Sequence, residues 1–264
     1  GDHLRFVYGV GWHVWNGAHW EEDPGRVALQ TRVNSTLASM YIEAGQSPSG
    51  SRSEMGKWAV TSESATRINA LMQLAARDEA IQESPDDLDP DKWLMGTPEG
   101  TLDLRTGELH EPVPEELISR DTSVPYDPEA TCPLWEKFLA RVQPDEEMQA
   151  FIRRAVGYSL TGSVREQVMF VAYGEGDNGK SVLIETLVAL MGTYGQKAPP
   201  ELLMAKQAET SNDVARLRGA RFVGVVETEK GRRLAEARVK ELTGADTVAA
   251  RILPRAFFTF RPVC

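Results

Sequence analysis

GEGDNGKSVLIETL, residues 174–187, decides how the rest of the chain is read. A glycine-rich turn running into a helix can wrap a polyphosphate in backbone N–H groups, while the lysine reaches the outer phosphates and the hydroxyl that follows holds Mg²⁺. Gly174, Gly179, Lys180 and Ser181 fit GxxxxGKS, and Gly176 and Asn178 join them as the candidate nucleotide-binding set. The pattern carries this meaning only between a strand and a helix. Gln167 to Tyr173 (QVMFVAY) is a short β-rich apolar run, and Val182 to Met191 is apolar at helical spacing, so both flanks are predicted. ATP with Mg²⁺ is the expected ligand; a glycine-rich surface turn is the competing reading.

Such a loop needs a partner acid, which ordinarily stands at the end of a neighbouring parallel strand. RFVGVVETEKG supplies one: Arg221 to Val226 reads as a strand, with Glu227 and Glu229 at its carboxyl end. Lys180, Glu227 and Glu229 are therefore the candidate catalytic residues, and Ser181 with Glu227 the candidate Mg²⁺ ligands. Only 47 positions separate Lys180 from Glu227, room for little more than one helix-loop-helix crossover. Small-molecule kinases share such loops but add an arginine-rich lid and an acceptor pocket, neither of which is evident here.

Upstream, residues 5–24 alternate aromatic and polar side chains around Asn16-Gly17, which predicts a β-hairpin. Trp12, Trp15 and Trp20 there suit either a base-stacking platform or a hairpin packed on a helix. Val27 to Ala44 has a helical period; GQSPSGSRSEMG (45–56) reads as a polar loop, and a second helix passes through Ile68, Leu71, Met72 and Leu74. SPDDLDPDK (84–92) reads as a solvated loop. A hairpin around Arg105-Thr106-Gly107 follows, then a proline-rich connector expected to wrap a neighbouring surface, then helices from Leu134 and from Asp145 to Leu160.

With 41% hydrophobic and 26% charged residues over 264 positions, the chain can bury a proper core, as one large domain or two ordinary ones. No apolar run approaches the ~20 residues that span a bilayer, and GDHLRFVYGV has no signal-peptide pattern, so no membrane partner is expected and the cytoplasm is the expected compartment. Two cysteines, Cys132 and Cys264, and four histidines without metal spacing predict free thiols and no zinc site. The net charge of −10 argues against a surface that grips nucleic acid throughout. Charge is uneven, however: Ala215 to Cys264 holds eleven Lys/Arg against five Asp/Glu. There KELTGADTVAAR (240–251) ends a helix at Gly244 and starts a β-run continuing through AFFTF (256–260), a hairpin that would offer Arg251 and Arg255 to a phosphate backbone. A solvated helix face explains the other basic residues equally well.

WLMGTPEGTLDLRTGELHEP, VPYDPEATCPLWEKFL, RRAVGYSLTGSVREQ, the glycine-rich loop, VVETEKGRRL and KELTGADTVAAR, in this order, resemble the phage and plasmid primase-helicases whose NTPase belongs to helicase superfamily 3, relatives of the poxvirus primase-helicase. The resemblance implies an α/β chain: an α+β accessory domain with two hairpins (1–130), a helical collar (131–165) and an incomplete P-loop NTPase core of the AAA+ type (166–264). It implies a ring-forming ATPase, typically a hexamer, that moves along single-stranded DNA and unwinds forked duplex beside other replication proteins in a bacterial cell. By this carry-over Lys180 and Ser181 bind phosphate and Mg²⁺, Glu227 is the strand-end acid, Glu229 assists it, and Lys240, Asp246 and Arg251 feed the DNA-binding hairpin.

Two departures stand out. Gly244-Ala245-Asp246 replaces a Gly-Gly-Asp turn, and the family's sensor asparagine and arginine finger would fall after Cys264, as a primase domain would fall before residue 1. The chain is accordingly expected to be the middle of a longer polypeptide, with little ATP turnover by itself. The alternative function is a nucleotide-dependent assembly or DNA-binding segment without catalysis.

Overall fold

The computed structural model describes residues 3–176, 178–204, 211–226, 234–244, 246–251 and 257–264. It is a mixed α/β protein whose helices accompany small sheets, divided into two compact units, residues 1–16 with 20–84 and residues 17–19 with 85–264.

In the first unit, β1 (Leu4–Val7), β2 (Gly11–Trp15) and β3 (Trp20–Glu22) form an antiparallel meander. The hairpin at Asn16-Gly17 is present as β2 and β3, Trp15 opposite Trp20, and β1 extends it by one strand. Asp23 accepts hydrogen bonds from the N–H groups of Val27 (2.8 Å) and Leu29 (2.9 Å), which starts α1 (Val27–Gln46). Leu29, Val33 and Leu37 of α1 pack on Trp12 and on Met72 of the third helix, the seam that the helical period marks. Trp12 and Trp20 are buried at 5% and 0% exposure, so these two rings serve the core and not a stacking platform.

Residues read as a polar loop are instead largely helical. Here α2 (Ser49–Ser62) follows α1 and precedes α3 (Ala65–Ala75). Serine and glycine lower helix propensity but do not forbid a helix that tertiary contact supports. Ala59 of α2 is fully buried, and the Arg52 guanidinium donates to the Ser47 carbonyl at 3.1 Å, closing the α1–α2 turn. The short β4 (Gln82–Glu83) returns parallel to β1.

The second unit opens with β5 (Leu94–Thr97), β6 (Gly100–Asp103) and β7 (Glu108–His110), a meander turning at Arg105-Thr106-Gly107, where Gly107 takes φ +74°. The proline-rich connector lies against this sheet as expected: the Thr122 N–H donates to the Gly96 carbonyl (3.0 Å), Ile118 is buried, and Arg120 donates to the carbonyls of Thr193 and Arg218. Then come α4 (Pro133–Val142) and α5 (Glu146–Leu160), the latter capped where the Asp145 carboxylate accepts from the Glu147 N–H at 2.9 Å.

After the glycine-rich loop come α6 (Lys180–Leu190), β8 (Gly195–Ala198), α7 (Ser211–Ala215) and β9 (Phe222–Val225); β8 and β9 are parallel and α6 packs on both. Finally α8 (Glu236–Thr243) precedes the antiparallel hairpin of β10 (Val248–Arg251) and β11 (Phe257–Phe260). Val248, Ala250, Phe258 and Phe260 point inward onto Leu202, Val214, Leu217 and Leu242, a period-two pattern that buries one face of the hairpin. Arg221, counted above within the basic tail, is 3% exposed: its guanidinium donates to the carbonyls of Leu160 and Leu94, both at 2.6 Å, and lies 4.6 Å from the Tyr194 ring centroid. It staples three segments together and is no part of a basic surface.

One expected strand has no ladder. Val168 to Tyr173 pairs with nothing among the described residues, and Val168, Phe170, Val171 and Tyr173 are half or more exposed. Apolar, β-branched composition fits a pleated surface but does not supply a pairing partner. The partner of β9 is β8, whose sequence GQKA lacks that signature.

Candidate functional site

The glycine-rich loop precedes α6, and its glycines are there for conformational reasons. Gly174 has φ +149° and Gly179 φ +81°, backbone conformations that L side chains rarely adopt. Gly179 is the N-cap of α6, and its carbonyl accepts the helical bond from the Leu183 N–H at 2.9 Å. Lys180, half-buried, sends its ammonium back across the loop to the carbonyls of Gly174 (3.0 Å) and Glu175 (3.0 Å) and to Asn178 Oδ1 (2.6 Å). Gly176 has open space where a Cβ would stand, and Ser181 is exposed in the first turn of α6. The helical flank that the pattern requires is present as α6, whereas the strand flank is not found among the described residues. Positive-φ glycines at a helix amino end beside an ammonium are a set of groups that would suit phosphate oxygens.

The direction of α6 follows from its contacts with the parallel strands. A Cβ on Gly224 of β9 would stand 2.5 Å from Ile184 Cγ2 and 3.3 Å from Val188 Cγ2, while one on Gly195 of β8 would stand 2.5 Å from the Val188 carbonyl oxygen. Gly224 pairs with Lys197, and Gly195 with Phe222, one strand step or more toward the amino ends. The earlier helix residue thus lies nearer the carboxyl end of β9, and α6 runs antiparallel to both strands. Lys197 Nζ to Glu185 Oε1, 2.9 Å, fits the same direction. Lys180 therefore stands at the carboxyl ends of β8 and β9, where crevices of open α/β sheets bind ligands. A glycine inside RFVGVV is itself a sequence sign of close backbone approach, and Gly224 is the residue that sign points to.

Glu227 and Glu229 follow β9 in the chain and lie outside the described residues, as do Arg255, Arg232, Arg233 and Ala245. Among the described residues no group of three or more His, Cys, Asp and Glu is placed to hold a metal ion. Ser181 is the described member of the expected Mg²⁺ pair.

The basic hairpin is a second, separate feature. Arg251 ends β10 opposite Phe257 of β11, its guanidinium 5.1 Å from that ring's centroid, and Phe257 is 63% exposed. Lys240 is exposed in the last turn of α8, where its carbonyl accepts from the Gly244 N–H at 2.8 Å, and Asp246 is exposed beyond that turn. Cys132 and Cys264 are free thiols, and burial raises the thiol of Cys264 to about 11. Among the described residues no helix is long and apolar enough to cross a membrane.

These features define a mixed α/β protein with a glycine-capped helix whose amino end lies toward the carboxyl ends of two parallel strands. Residues 1–144 match the family described as "D5 N terminal like", and the chain belongs to that family. The matched span ends before the glycine-rich loop. A protein described as a candidate helicase, from Acanthamoeba polyphaga mimivirus, is 25% identical over 275 residues, covering 95% of this chain and 28% of its own length. A candidate helicase of Invertebrate iridescent virus 6 is 27% identical over 192 residues, covering 69% of this chain and 20% of its own. A candidate primase of African swine fever virus is 27% identical over 176 residues, covering 63% and 18%. The chain thus spans between 18% and 28% of the length of these relatives. Membership of the primase-helicase family, expected from the quoted motifs, is what these matches support.

Proposed function

We propose that this chain is part of an ATP-dependent DNA helicase or primase-helicase that acts in the replication of a phage or plasmid, in the cytoplasm of a bacterial host. On this reading residues 1–130 are an accessory domain, 131–165 a helical collar, and 166–264 a P-loop NTPase core of the superfamily 3, AAA+ type. The observation that supports it is the direction of α6, whose first residue, Lys180, lies toward the carboxyl ends of β8 and β9, and in the sequence β9 runs on to Glu227.

The loop fits a triphosphate. Phosphate oxygens would compete with the carbonyls of Gly174 and Glu175 and with Asn178 for the three protons of Lys180, and the unpaired N–H groups that a helix amino end offers would meet the same anion. Ser181 would hold Mg²⁺ together with Glu227. ATP hydrolysis supplies the free energy of translocation; Glu227, with Glu229, would orient and deprotonate the attacking water. Lys240, Arg251 and Arg255 would meet the backbone of single-stranded DNA, and a homo-oligomeric ring would confine those contacts to its inner face, which an acidic chain tolerates. The names of the viral relatives agree with a helicase or primase role.

The test is strand separation of a forked duplex by the polypeptide that contains this chain, with Lys180→Ala as control. ATP-dependent unwinding lost in Lys180→Ala supports the proposal. Nucleotide-dependent oligomerisation with no turnover and no unwinding would replace it with a non-catalytic assembly role.

A further inference from the structure

The glycine-rich loop does not stand free. A Cβ built on Gly179 would lie 2.6 Å from Val142 Cγ1 and 3.1 and 3.2 Å from Cε2 and Cζ of Phe138. Phe138 and Val142 are four residues apart on α4, so they occupy one face of it, one turn above the other. The loop's last glycine therefore presses its α-carbon directly onto an apolar edge of α4. Two features make this edge firm. Leu139, next to Phe138, is 5% exposed, and the Trp135 ring packs on Phe138 with centroids 5.4 Å apart and planes 33° apart. The carboxyl end of α4 is tied to α5 in turn, the Gln149 amide donating to the Gln143 carbonyl at 2.8 Å.

We infer that Phe138 and Val142 are positioning residues for the nucleotide loop and that α4 reads whether a nucleoside triphosphate with Mg²⁺ occupies it. The inference rests on the nucleotide reading above. Gly179 is joined through one peptide to Lys180, so the surface that fixes the Gly179 α-carbon also fixes where the ammonium and the first free N–H groups of α6 stand. The coupling runs both ways by linkage: if packing of α4 sets the loop geometry that binds triphosphate, binding must bias the packing of α4. Trp135, stacked on Phe138, is a reporter already built into that contact.

The experiment is titration of Mg-ATP into the chain, followed by calorimetry and by tryptophan emission, for the wild type, Phe138→Ala, Phe138→Leu, Val142→Ala and Trp135→Phe. The wild type is expected to bind with a change in emission that Trp135→Phe removes. Phe138→Ala opens the contact, and coupling between linked sites typically amounts to about 5–150-fold in affinity, so a loss of affinity of about tenfold is expected together with loss of the emission change. Phe138→Leu restores apolar volume and should recover most of both, which a merely structural lesion would not do so selectively. If Phe138→Ala fails to fold, Val142→Ala carries the test, with a smaller loss in the same direction. Unchanged affinity in Phe138→Ala and Val142→Ala, with Trp135 silent, overturns the inference and leaves nucleotide binding standing. Failure of the wild type to bind Mg-ATP removes the nucleotide reading itself, and the inference with it.

Discussion

Adding one methyl group at Gly224 probes how α6 is seated. The new Cβ of Gly224→Ala would meet Ile184 Cγ2 at 2.5 Å, about 1 Å inside ordinary van der Waals contact, and Val188 Cγ2 at 3.3 Å. Ile184 Cγ2 is a branch methyl beside the backbone, so it cannot swing aside as the end of a long side chain would. Either Ile184 leaves its rotamer or α6 lifts from β9, and overpacking of this kind costs about 1–3 kcal/mol. Ile184→Ala alone, at a half-buried position, should cost about 2–3 kcal/mol, near the low end for such truncations. In the double variant the new methyl fills space that Ile184 has vacated, so its cost should fall below the sum of the singles by about 1 kcal/mol or more. Urea unfolding, with the transition of residues 85–264 followed at Trp93 and Trp135, measures all three. Because Ile184 lies one turn from Lys180, Gly224→Ala should also weaken Mg-ATP binding by about tenfold, within the usual range of coupling between linked sites. A Gly224→Ala protein as stable as the wild type, or singles that simply add, would refute this seating of α6.

Three further outcomes are expected. Arg221→Met leaves two part-buried carbonyls without their charged donor and should cost about 2–3 kcal/mol by chemical denaturation, with Arg221→Lys recovering little because an ammonium cannot span both acceptors as a fork. Arg251→Ala should lower the log-log salt slope of single-stranded DNA binding by about 0.7, measured by fluorescence anisotropy across salt concentrations, and leave Mg-ATP binding unchanged. Partial desolvation raises the carboxyl of Asp91, but hydrogen bonds from Arg105 and the Trp93 N–H, with the Arg105 charge, outweigh it and hold the group below the usual carboxylate range. Since the folded value is the lower one, this stabilisation is fully present above the unfolded value of about 3.9 and lost as pH falls through the folded value; the difference in melting temperature between wild type and Asp91→Asn should narrow between pH 5 and pH 3.

Elements with a long apolar period were legible in the sequence. The 3.6-residue spacing of Leu29, Val33 and Leu37 marks α1, because burial of one face imposes that period, and the helix end at Gly244 followed by a β-run marks the last hairpin. Short elements held by tertiary contact were not. β8 is four residues of GQKA, extended because β9 needs a partner and Gly195 fits beneath Val188. α2 opens with serines and a glycine, which favour loops, and is held by Ala59 and Arg52. QVMFVAY has strand composition but no ladder among the described residues. Within the candidate site, the turn that opens α6 was legible because the positive φ of Gly174 and Gly179 restricts which residues serve there. The contact of Phe138 and Val142 with Gly179 was not, since a glycine's missing side chain says that something approaches closely but not what.

Nucleotide binding at the glycine-rich loop is the claim on which the functional reading depends, and isothermal titration of Mg-ATP into the wild-type chain and Lys180→Ala tests it most directly. Charge-assisted hydrogen bonds contribute about 1.5–3 kcal/mol each, and the ammonium makes three within the loop. The account predicts saturable binding at one site per chain for the wild type and none detectable for Lys180→Ala, with identical circular dichroism. Equal affinity in a folded Lys180→Ala chain, or no binding by the wild type, would contradict it.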